Sequence, residues 1–82
     1  MSLADQIREF AFAEYIAPAR ARGETKVSIR AGDMHSQMNL SCRLPAVCGA
    51  LGTNKFVSMY NIERLSIEGP IPGANAVFTF RL

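Results

Sequence analysis

The residues with the widest chemical range in this 82-residue chain are its one histidine, His35, its two cysteines, Cys42 and Cys48, and Asp33. Three chemistries follow from those types: a thiol nucleophile with an imidazole base, a metal site, or a disulfide. A Cys–His pair needs its base within hydrogen-bond reach of the thiol, and an oxyanion site, and nothing near these positions suggests either. Zinc usually takes four ligands, and two cysteines six positions apart, with no CxxC pair and one histidine, fall short. The cysteines therefore read as reduced thiols, since a segment expected to be turn plus helix sets them awkwardly for a disulfide. Gly69 and Gly73 lack the spacing of a phosphate-cradling loop. Asp33 as a helix cap and His35 as a surface residue account for the same positions. The expectation is no enzyme activity, no cofactor and no metal.

Composition sets the next bound. With 49% apolar residues the chain can bury one modest core, so residues 1–82 are expected to form a single domain. A net charge of +2, from nine Lys or Arg against seven Asp or Glu, excludes a strongly basic protein that coats nucleic acid indiscriminately. No apolar run reaches the roughly 18 residues that cross a bilayer, and the start lacks the basic-then-apolar order of a secretory signal. A cytoplasmic location is expected.

The elements that must position any site follow from periodicity. Ile7, Phe10, Ala11 and Tyr15 recur at helical spacing from Leu3 to about Tyr15, with Asp5, Arg8 and Glu9 on the other side and Ser2 as the cap. Pro18 either ends this helix or opens a short turn through Ala19 to Ala21, and Gly23 stops it. Val27 and Ile29 alternate with Lys26, Ser28 and Arg30, the two-residue period of a strand. Ala31 and Gly32 break it, and Asp33 caps a second helix with Met34 and Met38 inward. Pro45 opens a third helix with Val47, Ala50 and Leu51 on one face, ending near Gly52 or at Asn54. Ile62, Leu65 and Ile67 read as a strand, as does Ala76 to Leu82, and the Pro- and Gly-rich run Glu68 to Asn75 joins them as a hairpin.

The order is helix, strand, helix, helix, strand, strand, an α+β arrangement. The stretch from Ile29 to Leu51, with its short helix, Leu40-Ser41 turn, and helix carrying Val47 and Leu51 four apart, resembles the winged helix-turn-helix family, and the flanking strand and hairpin extend the likeness over nearly the whole chain. The two-helix unit would span about residues 33–54 and the wing about 62–82. One departure stands out, because Arg43-Leu44-Pro45 delays the third helix relative to the family pattern.

The resemblance implies double-stranded DNA as the partner, with the third helix in the major groove and the hairpin tip over the backbone or minor groove. The candidate contacts are then Arg43, able to make a bidentate bond to guanine or phosphate, Gln37 and Ser41 toward phosphates, Asn54 and Lys55 after the third helix, Asn75 at the wing, and Arg30 on the first strand. The third helix itself offers Ala46, Cys48 and Gly49 outward, which argues for recognition of shape or backbone over rich base readout. Arg43 and Asp33 are also candidates for an ordinary ion pair. The alternative is a protein-interaction or dimerisation module. Phe12 and Ile16 fall off the face set by Ile7 and Ala11, so they are either the seam of a homodimer that spaces two recognition helices about 34 Å apart, or the completion of the monomer's core.

Overall fold

The computed structural model describes all 82 residues, Met1–Leu82. Its helical start has three parts: α1 (Leu3–Ala11), a π-helical turn over Phe12–Ile16, and α2 (Ala17–Ala21). Ser2 caps α1, its hydroxyl accepting the Asp5 N–H at 3.1 Å. The helix does not end near Tyr15. In the π turn the backbone bond widens, with the Ala17 N–H reaching the Phe12 carbonyl five residues back, and Pro18 then falls in the first turn of α2, where its missing N–H matters least.

This turn also decides between the two readings of Ile16, which belongs to the monomer's core and not to a dimer seam. An α-helix advances about 100° per residue, so one extra residue in the π turn brings everything after it back by about that angle. Ile16 and Ala19 rejoin the face of Ile7 and Ala11, and all four are fully buried. Phe12 is half-buried and stacks on Tyr60 with ring centroids 4.3 Å apart. Ile16 belongs to this chain's own core, and Phe12 packs against that core from its edge. Arg8, expected outside, is buried too, with a guanidinium nitrogen 2.8 Å from Asp5 Oδ1.

The sheet has three antiparallel strands, β1 (Lys26–Arg30), β2 (Glu63–Glu68) and β3 (Val77–Arg81), in the order β1-β3-β2. Pairing sets Val27 against Phe80 and Ile29 against Phe78, so the apolar period of both strands faces the helices. A bulge between Arg64 and Ser66 shifts the β2–β3 register, which is the irregularity its sequence suggests.

Between the strands lie α3 (Ala31–Gln37), α4 (Leu44–Leu51) and α5 (Asn54–Tyr60). Asp33 is not the cap of α3, which begins directly after β1. Loop carbonyls replace a cap: the Ala31 N–H donates to Ala76 O at 2.8 Å and the Gly32 N–H to Ala74 O at 3.0 Å. Pro45 sits in the first turn of α4 as expected, but α4 stops at Leu51 and a further helix follows. Thr53 caps α5 by accepting the Phe56 N–H, and Asn61 ends it in the left-handed conformation. The element order is therefore helix, strand, three helices, strand, strand. Ile7, Ile29, Leu51, Phe56, Phe78 and Phe80 form the centre of one apolar cluster, with Phe56 edge-on to Phe80 at 5.3 Å. No helix is long and apolar enough to cross a membrane.

Candidate functional site

Five of the seven candidate residues lie on or beside α3, its turn to α4, and the Gly69–Ala76 loop: Arg30, Gln37, Ser41, Arg43 and Asn75. Met38 to Arg43 make the turn. It needs two left-handed residues, Asn39 (φ 57) and Cys42 (φ 54), to reverse the chain in so few positions. Arg43 occupies the N-cap position of α4; its backbone N–H donates to His35 Nε2 at 3.1 Å and its carbonyl accepts from the Val47 N–H. His35 is thus a clamp on the turn and not a mere surface residue. As an acceptor its Nε2 is the bare nitrogen of the ring.

The Arg43 side chain is exposed and meets no carboxylate. The Arg43–Asp33 pair does not form, because Asp33 is taken by Arg30 at 2.7 Å. The other arm of Arg30 donates to Asn75 Oδ1, also at 2.7 Å. Two candidates 45 positions apart are therefore joined to each other, and they brace the loop against the first turn of α3. Gln37 is likewise engaged: its Oε1 accepts the Tyr15 hydroxyl at 2.8 Å, which ties the end of α3 to the π turn. Burial raises the Tyr15 hydroxyl above its usual value, against the opposing pull of that bond, so it keeps the proton it donates. Ser41 stands exposed in the turn, two residues before Arg43.

Asn54 and Lys55 belong to the first turn of α5 and do not trail the third helix. Lys55 turns toward the start of α1, its Nζ 3.6 Å from Asp5 Oδ1. The outward face of α4 also differs from expectation. Cys48 is buried, its Sγ 3.9 Å from the Gly73 carbonyl, so the loop lies against α4 at that point. Pro45 and Gly49 are the exposed residues of α4, and a Cβ at Gly49 would meet nothing within 4 Å. Cys42 is an exposed thiol, and both cysteines are free.

Five cations pair with carboxylates: Arg8, Arg22, Arg30, Lys55 and Arg81. Arg20 and Arg64 donate to backbone carbonyls, Arg20 to those of Tyr60 and Asn61 at the end of α5. Only Lys26 and Arg43 have neither kind of partner. The surface charge available to a polyanion is therefore sparse, and Arg43 is its one uncommitted cation within the α3–α4 unit. The partners of His35 and Arg20 are not legible in the sequence because they lie 8 and at least 40 positions away, beyond any local period.

Comparison of the chain with protein-family models, with curated proteins and with solved structures returns no match.

Proposed function

We propose that the chain is a winged helix-turn-helix module that binds duplex DNA in the cytoplasm, as a transcriptional regulator or an accessory domain, and that it does so by backbone and shape. One observation carries the reading. The α3–turn–α4 unit is followed, after α5, by an antiparallel hairpin whose loop rests on α4, and an unpaired guanidinium, Arg43, stands at the leading end of α4. Helices of this kind present their N-terminal residues to the major groove. The bare outer face of α4, Pro45 and Gly49, supports close approach to a groove wall with few bonds to base edges.

The anion contacts are then Arg43, the Ser41 hydroxyl, the amide of Gln37 left over from its bond to Tyr15, and Arg30. Exposed ion pairs are worth about 0–1 kcal/mol, so the Arg30–Asp33 pair yields readily to a phosphate. With two cationic contacts, the expected log–log salt slope of binding is about −2.

Fluorescence anisotropy with a labelled random duplex across a salt series, run beside Arg43→Ala, tests this. Salt-sensitive binding that the variant weakens, at an unchanged melting temperature, is the expected result. Absence of binding at low salt overturns it. A second reading, docking of the same face onto protein, is favoured by Ile71 in the loop, 54% exposed. It gains if the duplex does not bind.

A further inference from the structure

One side chain holds the second half of the turn between α3 and α4. Of the amides of Ser41, Cys42 and Arg43, only that of Arg43 has an acceptor in the chain, and the acceptor is His35 Nε2 at 3.1 Å. Bonds from the Asn39 N–H to Ser36 O and from the Leu40 N–H to His35 O close the first half. Asn39 and Cys42 both hold left-handed backbone without being glycine, a conformation that a chain keeps only where surrounding bonds impose it.

The His35–Arg43 bond exists in one protonation state only. A bare imidazole nitrogen accepts an N–H, whereas a protonated one is itself a donor, and two N–H groups facing each other repel. The closed turn therefore binds one proton fewer than the open one, and by linkage acid favours the open turn. Histidine is the side chain whose ordinary charge change falls between about pH 8 and pH 5. The ring of His35 is half-buried, so solvent protons reach it.

The groups around it leave this step to His35. On α3, Asp33 is paired with Arg30, and the turn itself carries Cys42 and Arg43. No residue of α4 is charged, and its one titratable group, Cys48, is buried. On the π turn Tyr15 donates to Gln37, and Glu14 is exposed. None of these accepts the Arg43 N–H.

We infer that His35 is a pH-sensitive latch on the α3–α4 turn: its neutral ring holds Arg43 at the head of α4, and its protonated ring releases Ser41–Arg43. The latch does not depend on what the turn binds.

The whole chain, isotope-labelled and kept in reductant, is titrated by NMR from about pH 8 to pH 5. At the upper end the ring should carry its proton on Nδ1, leaving Nε2 bare. As the ring titrates, the Ser41, Cys42 and Arg43 amides should move with the same midpoint. Exchange of the Arg43 amide, corrected for its intrinsic pH dependence, should quicken about two- to tenfold, the release of one hydrogen bond. His35→Ala should show the released turn at every pH, and His35→Gln, which keeps a polar side chain, should remove the titration. A proton on Nε2 at the upper end overturns the proposal, as do turn amides that ignore the ring's midpoint or a corrected Arg43 exchange rate that stays constant. A transition that survives in His35→Gln overturns it too, by assigning the change to another group.

Discussion

The backbone N–H of Arg43 is held by the imidazole of His35, one turn of chain away across the α3–α4 junction, at 3.1 Å. The same residue, His35, gives its carbonyl to the Leu40 N–H at 3.0 Å. One residue thus fixes both sides of the turn, and with them the start of α4 and the root of the Arg43 side chain.

His35→Ala should therefore cost about 0.5–1.5 kcal/mol of stability, the ordinary net worth of one hydrogen bond. The Arg43 amide resonance should move more than any other outside the substituted residue. An HSQC comparison with urea unfolding checks this, and an unmoved Arg43 amide would show that the clamp does not persist in solution.

Cys42 carries a side chain in a backbone conformation that favours glycine (φ 54). Cys42→Gly should raise stability by about 0.5–1 kcal/mol, the strain relieved minus the added freedom of the unfolded chain. Cys42→Val, β-branched, should lower it. Thermal melts of the two variants in reductant should move in opposite directions.

Gly49 and Gly32 make a second opposed pair. Gly49 lies mid-helix on the exposed face of α4 with open space at its Cβ position, so Gly49→Ala should stabilise by about 0.5–1 kcal/mol. At Gly32 a Cβ would stand 2.7 Å from the Ala74 carbonyl oxygen, part of the loop that closes the start of α3. Gly32→Ala should cost about 1–3 kcal/mol. Equal effects in denaturant titrations would contradict both assignments.

Asp5 gives a pH dependence. The Arg8 guanidinium first, and the Ser2 hydroxyl second, hold its carboxyl at about 2, below the reference 3.8. A carboxyl depressed by folding contributes stability that is complete above its unfolded value and is lost as pH falls through the folded one. Melting temperature should thus fall between about pH 4 and pH 2, and Asp5→Asn should flatten that part of the profile. An identical profile in the variant would assign the acid loss to other carboxyls.

Much of the framework was legible in the sequence because it rests on short-range periods. The alternation of Val27 and Ile29, the Pro45 start of α4, and the run from Glu68 to Asn75 each led to the observed element. The helix α5 has local signals as well, since Thr53 precedes Phe56 and Tyr60 at helical spacing and Asn61 suits the left-handed end, but at seven residues it is too short for its period to stand out from the preceding helix. The candidate contacts fared differently. Arg43 and Ser41 stand exposed in the turn as the sequence implied, whereas Arg30, Asn75, Gln37 and Lys55 are tied to partners elsewhere in the chain.

What the sequence determined by itself is what neighbouring residues decide: which segments are helix or strand, and which residue types are on hand. Tertiary structure decided three further things. It set the phase of the first helix, because one extra residue in the π turn rotates Ile16 and Ala19 onto the core face. It set the start of α3, because carbonyls from Ala74 and Ala76 satisfy N–H groups that no local side chain caps. And it selected the free cations, because an arginine is committed or available according to which acceptor the folded chain brings within about 3 Å, and that acceptor can come from any position along it.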